Sequence, residues 1–179
     1  QYPNFTEVAA DKIQEKGSCC CGGGHCGEAT IPALDFSRGA SEFEALRMAT
    51  EKSGKTPKVF MLTIGNLAMR LARSQFSANF FACAGFEVKD NNGFKTVDEG
   101  VQACLDNKAA IVVLCSSDDE YAGFAPEAFE KLKDKAIVVV AGNPESRPEL
   151  EAKGLLNYIH VKNNVLEELK GYQVKLGIK

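Results

Sequence analysis

The residues best suited to metal chemistry lie near the N-terminus, in a run of cysteine, glycine and histidine. Thiolates and imidazole are good ligands for zinc and other soft or borderline metals. Neighbouring cysteines do not easily face one tetrahedral ion, although the intervening glycines let the chain fold back. The spacing is not a paired C-x-x-C pattern, so a linker with incidental thiols, or redox or lipid chemistry, is also open. The candidate ligands are Cys19, Cys20, Cys21, His25 and Cys26.

Other residue types that carry chemistry are sparse. The acidic run Asp118-Asp119-Glu120 follows an apolar segment, as in phosphotransfer domains, but no acidic residue accompanies the first strand. The run is therefore predicted to be a charged loop that caps the next helix. No G-x-G-x-x-G fingerprint is present. His160 ends an apolar strand, where a hydrogen-bonded structural histidine is expected.

Composition and charge describe an ordinary soluble domain. The chain has 179 residues, 45% hydrophobic and 25% charged, with a net charge of −3. That charge disfavours nucleic acid, and no apolar run is long enough to cross a membrane. No signal peptide is recognisable at the start. Cysteines inside apolar segments, at positions 83, 104 and 115, are expected to be buried in a reducing compartment, which predicts a cytoplasmic protein.

The elements that would position these residues alternate regularly from residue 58 onward. Continuous aliphatic runs, such as 111–114 and 137–140, are typical of parallel strands buried on both faces. The sequence predicts an α/β, doubly wound, five-stranded parallel sheet that is flavodoxin-like and Rossmann-like, in the order 2-1-3-4-5. Residues 1–41 are predicted to be an N-terminal extension or linker, and residues 42–179 the domain. The predicted strands are 58–63, 86–90, 110–115, 136–141 and 157–161, and the predicted helices are 42–52, 66–84, 97–107, 125–134, 147–153 and 164–176.

Local signals fix some helix ends and faces. Ser41 is predicted to cap the first helix, and Pro126 to lie in the first turn of a later one. The helix after the first strand carries a wide apolar arc, so it is predicted to pack on more than the sheet. Arg70 and Arg73 on its polar side are candidate interface residues.

Several segments together resemble a known family. Residues 32–179 are similar to the C-terminal, cobalamin-binding-like domain of the small (β) subunit of bacterial methylmalonyl-CoA mutase. The Cys-Gly-rich segment matches no usual linker of that family. The segments that carry the resemblance are Phe43–Arg47, Pro57–Gly65, Phe76–Phe81, Gly85–Val88, Val113–Asp118 and Ile159–Val161.

The resemblance implies a heterodimer that isomerises methylmalonyl-CoA and succinyl-CoA with adenosylcobalamin. In the family's catalytic subunit, an Asp-x-His-x-x-Gly motif after the first strand ligates cobalt. Here no aspartate or histidine occurs between Lys58 and Gly85. The Ser-x-Leu segment is replaced by Ser116-Ser117-Asp118, and only Gly142 remains of a glycine pair. We therefore expect neither catalytic nor cofactor-binding residues in this chain.

The sequence thus predicts a non-catalytic, degenerate cobalamin-binding-like domain with a structural or assembly role. Its predicted partner is the large catalytic subunit, which would hold adenosylcobalamin. One alternative is a metal-binding or metal-sensing module that uses Cys19 to Cys26 with zinc or a similar metal. Another is a domain that binds a corrinoid without histidine ligation.

Overall fold

A computed structural model describes residues 38–178 of the chain. Five strands alternate with six helices through this range. The strands are β1 (Lys58–Thr63), β2 (Glu87–Lys89), β3 (Ile111–Cys115), β4 (Ile137–Ala141) and β5 (Tyr158–Ile159). The helices are α1 (Ser41–Lys52), α2 (Leu67–Ala82), α3 (Val97–Asp106), α4 (Tyr121–Leu132), α5 (Arg147–Ala152) and α6 (Val165–Lys175).

The strands form one parallel sheet in the order β2-β1-β3-β4-β5, which confirms the predicted topology. The central strand β3 is buried along its whole length, because helices cover both faces of the sheet. The order reverses between β1 and β3, whose register pairs Thr63 with Cys115. In open parallel sheets, ligands bind at the carboxyl ends of the strands at this reversal. The loops after β1, β3 and β4 are therefore the place to look for a site.

Two apolar clusters, one on each face of the sheet, hold the layers together. On one face α3, α4 and α5 pack through Tyr121, Leu132 and Leu150. On the other face α1, α2 and α6 pack through an aromatic group. In that group Phe81 is fully buried and lies 5.2 Å, ring centre to ring centre, from both Phe80 and Tyr172.

Two predicted helix starts are wrong. Helix α4 begins at Tyr121, and Pro126 lies inside it rather than in its first turn. Proline removes the helical bond to the carbonyl of Ala122, and Ala122 is exposed, so this carbonyl is open to solvent. Ser41 is the first residue of α1 and not its cap; Ala40 precedes the helix and no side chain caps it.

The prediction that three cysteines are buried holds for two of them. Cys104 and Cys115 are buried, and burial raises the pKa of each thiol to about 12. Cys83, which follows the last residue of α2, is exposed, although Phe81 and Ala84 on either side of it are fully buried. Within residues 38–178, no helix is both long enough and apolar enough to span a bilayer.

Candidate functional site: the carboxyl edge of the sheet

The N-terminus of α2 lies at the carboxyl edge of β1, where an α/β domain commonly binds an anionic ligand. Here the chain's own atoms engage its backbone donors. The Asn66 side chain accepts hydrogen bonds from Ala68 N and Met69 N, at 3.1 and 3.2 Å. Asn66 N donates to the carboxylate of Glu120 at 3.2 Å. The donors that would face a ligand are thus turned to internal acceptors.

Glu120 joins the loop after β3 to the loop after β1. Its Oε2 accepts hydrogen bonds from the Ser116 hydroxyl, from the Ser117 hydroxyl at 2.8 Å and from Ser117 N at 3.3 Å, in addition to Asn66 N. These bonds favour the ionised form, and the two serine hydroxyls contribute most, so the pKa of Glu120 falls from 4.5 to about 2. The carboxylate is therefore ionised at neutral pH.

Gly65 makes room for this carboxylate. Its φ of +82° lies in the left-handed region that favours glycine. A Cβ on Gly65 would overlap the carboxylate of Glu120. The β1–α2 turn therefore accommodates an internal acid at the point where a cofactor-binding turn accommodates a ligand.

A second interaction at this edge of the sheet is an ion pair between α2 and the loop after β3, next to the loop after β4. The Arg73 guanidinium donates to both carboxylate oxygens of Asp118, at 3.0 and 3.1 Å. The pair lies on Gly142, where a Cβ would come within 2.6 Å of Arg73 Nη1 and 2.8 Å of Asp118 Oδ1. Gly142 also has a positive φ of +136°. This ion pair thus joins α2 to the loop after β3 and packs against the loop after β4.

The loop after β2 is tied down as well. Thr63 Oγ1 donates to Asn91 Oδ1 at 2.5 Å, and the Asn91 amide donates to the carbonyl of Met61. Arg70 donates to the carbonyls of Gly65 and Asn92, at 3.3 and 3.1 Å. Both arginines that the sequence offers as interface residues therefore make contacts inside the chain, and a contact of either one with a partner stays a prediction.

Tyr121 forms hydrogen bonds at the ends of β3 and β4, beneath these loops. Its hydroxyl is fully buried, accepts from Ser116 N at 3.0 Å and lies 2.6 Å from the carbonyl of Ala141, to which it donates. Burial raises the pKa of Tyr121, so the hydroxyl keeps its proton. The ends of β3 and β4 are held together beneath Glu120 and Asp118.

A cleft of about 550 Å³ remains open at this edge, between the loops after β3 and β4. Three of its lining residues are acidic: Asp118, Asp119 and Glu145. Such a surface repels phosphate-bearing ligands. The acidic lining of the cleft is therefore poorly suited to the phosphate of a cobalamin.

The structure describes only some of the residues singled out in the sequence. Cys19, Cys20, Cys21, His25 and Cys26 lie outside the described residues. Among residues 38–178, no three histidine, cysteine, aspartate or glutamate side chains are grouped as metal ligands. His160 is hydrogen-bonded, as predicted: its Nδ1 accepts from Lys162 N at 3.2 Å.

The acidic run does not act as predicted. Glu120 is the residue before α4, yet its side chain makes no capping bond to that helix and reaches the N-terminus of α2 instead. No feature of the sequence identifies that partner, since Glu120 and Asn66 are 54 residues apart.

The fold is shared with a protein of known structure. A cobalamin-binding protein from Desulfitobacterium hafniense has a similar structure, with a TM-score of 0.51 and 20% sequence identity. The similarity covers 74% of this chain and 66% of that protein, and at this identity it shows the fold alone. No protein-family model matches the sequence.

Similarity in sequence is more specific. The whole chain is 64% identical to a methylmalonyl-CoA mutase small subunit from Porphyromonas gingivalis. Over 99% of its length it is 28% identical to a probable methylmalonyl-CoA mutase small subunit from Mycobacterium tuberculosis. The predicted resemblance to this small subunit is therefore confirmed. The chain spans 28% and 27% of the lengths of these two relatives, respectively.

Proposed function

We propose that this chain is a degenerate cobalamin-binding-like domain of a methylmalonyl-CoA mutase small subunit. It has no catalytic residue of its own and contributes to assembly with the large catalytic subunit. Adenosylcobalamin for the isomerisation of methylmalonyl-CoA and succinyl-CoA is held by that partner. The observation that carries the proposal is the Glu120 carboxylate, which occupies the edge of the sheet where a cofactor would enter.

The sequence supports the same proposal independently of the fold. Cobalt ligation in this class of domain depends on a histidine after the first strand, and residues 58–85 contain none. His160, the one histidine among the described residues, lies beyond β5 at the edge of the sheet and uses Nδ1 for a local backbone bond.

We expect the chain not to bind adenosylcobalamin. The measurement is equilibrium dialysis at high micromolar cofactor, followed by the visible spectrum of any retained corrinoid. The large subunit, treated identically, is the positive control. Tight binding with an altered spectrum would contradict the proposal and would make His160 and the cysteines the ligands to test.

An assembly role is supported by the apolar surface of α2. In the first two turns of this helix Leu67 is 59% exposed and Leu71 is 50% exposed, and the two side chains lie one turn apart on the same face. Most large apolar side chains of the domain are buried, so this grouping indicates a surface that a partner covers. The partner we propose is the large subunit, because the relatives are named as small subunits and the face lies at the edge where a ligand would otherwise bind.

We expect Leu71→Asp in the full-length small subunit to weaken association with the large subunit at least roughly tenfold, because a charge would be buried in an apolar contact. The free energy of unfolding should change by less than about 0.5 kcal/mol, since Leu71 is half exposed. Val174→Asp on α6, where Val174 is 76% exposed, is the matched control and should associate normally. Equal affinities of the two variants, measured by titration calorimetry, would argue against this face.

A further inference from the structure

Four donors from two separate loops converge on one oxygen of Glu120. Two are serine hydroxyls, from Ser116 and Ser117, and two are backbone N–H groups, from Ser117 and Asn66. These four bonds do not serve to cap the helix that Glu120 precedes, because its side chain makes no capping bond to α4. The arrangement has the donor set of a small oxyanion site, with the anion supplied by the chain.

The surroundings are adapted to this internal anion. Glycine at position 65 leaves the space that the carboxylate fills, and a side chain there would overlap it. The first turn of α2 carries no acidic residue of its own, so among those residues no negative charge balances the positive end of the helix dipole, although the neutral Asn66 side chain caps two of its N–H groups. Glu120 also stands at the N-terminus of α4, so its charge lies at the favourable ends of two helices.

We propose that Glu120 is a built-in latch: its carboxylate occupies an oxyanion site formed by the α2 N-terminus and the Ser116–Ser117 turn, and it holds the β1–α2 and β3–α4 loops together. The latch keeps external anions out of the switch point of the sheet. Its removal loosens the two loops and exposes a site for a small oxyanion. This inference goes beyond the proposed function, because it assigns a residue and a mechanism of closure whatever the partner of the domain is.

The latch is tested by the thermal stability of the chain with Glu120→Gln, which keeps the shape of the side chain and removes the charge. We expect the melting temperature to fall by about 3–6 °C, because the neutral amide oxygen accepts the four hydrogen bonds more weakly than the charged carboxylate does. Asp119→Asn is the matched control: Asp119 is the exposed neighbour in the same run, and its variant should melt within about 1 °C of the unaltered chain. Equal melting temperatures for the two variants would overturn the latch.

A double-mutant cycle tests whether Glu120 stabilises the chain through the proposed donors. In a double-mutant cycle with Ser117→Ala, the effect of Glu120→Gln should shrink, because one partner of the carboxylate is already gone. Strictly additive effects would mean that Glu120 stabilises the fold through other contacts, and would overturn the assignment of the donors.

Chemical rescue tests the oxyanion site itself. Acetate or inorganic phosphate, added at constant ionic strength, should raise the melting temperature of Glu120→Ala more than that of the unaltered chain. An equal response of the two proteins would show that the donors do not form an anion site. Cobalamin binding is measured separately, so a chain that binds cobalamin and still needs Glu120 for stability would refute the proposed function and leave the latch intact.

Discussion

Gly65→Ala is expected to lower the free energy of unfolding by about 3 kcal/mol. Roughly 1–2 kcal/mol comes from forcing an L-residue to a φ of +82°. The remainder, about 1–3 kcal/mol, comes from displacing the Glu120 carboxylate, which the new Cβ would overlap and whose hydrogen bonds would be lost. Urea unfolding followed by far-UV circular dichroism measures the change.

Gly54→Ala separates the two contributions. Gly54 also has a positive φ, +67°, but a Cβ there meets nothing within 4 Å. Its substitution should therefore cost only the backbone strain. If Gly65→Ala costs no more than Gly54→Ala, the contact between the β1–α2 turn and Glu120 contributes little to stability, and the closure of the site has another cause.

Phe81→Ala is expected to be the most destabilising single substitution considered, at about 3–5 kcal/mol. Phe81 is fully buried, and its ring contacts Phe80, Phe86 and Tyr172 from α2, the residue before β2, and α6. Removing the ring leaves a cavity where these elements meet, and surrounding side chains that are themselves tightly packed cannot fill it.

Phe43→Ala serves as the comparison for this core position. Phe43 lies on α1 and is 36% exposed, so truncation should cost about 1 kcal/mol or less. Chemical denaturation of both variants gives the two values. Similar losses at the two positions would mean that α1 and its contacts are as important for the fold as the aromatic group beneath α2.

The two halves of α2 have different surroundings. Its C-terminal half is anchored in the core by Phe80 and Phe81, while its N-terminal half carries Leu67 and Leu71 on the surface. A helix that is firmly held at one end and apolar on its surface at the other presents a rigid docking face. The wide apolar arc predicted for this helix therefore has two explanations. Its C-terminal part is buried within the domain, and its N-terminal part is the surface that we propose the partner covers.

Much of the fold follows from the sequence because the signals are local. The aliphatic runs at 111–114 and 137–140 can be buried on both faces only in a parallel sheet covered by helices, and the strand order is confirmed. The helix after β1 is found close to its predicted bounds, although Asn66, predicted as its first residue, is instead its cap and accepts hydrogen bonds from residues two and three positions later. The predicted start of α4 is four residues too late, because the prediction puts Pro126 in the first turn. The structure shows this proline inside the helix, where the carbonyl that loses its bond lies in an exposed turn.

The sequence by itself determined that the usual cobalt-ligating histidine is absent, since absence from residues 58–85 holds in any alignment register. It also determined the order of the elements and the resemblance to the mutase small subunit. Only the tertiary structure decided which side chains meet at the carboxyl edge of the sheet. Glu120 meets Asn66 across 54 residues, and Arg73 meets Asp118 across 45, because parallel strands bring the loops after β1 and β3 to the same edge. Such contacts depend on the register of the sheet, and no local pattern in the chain encodes them.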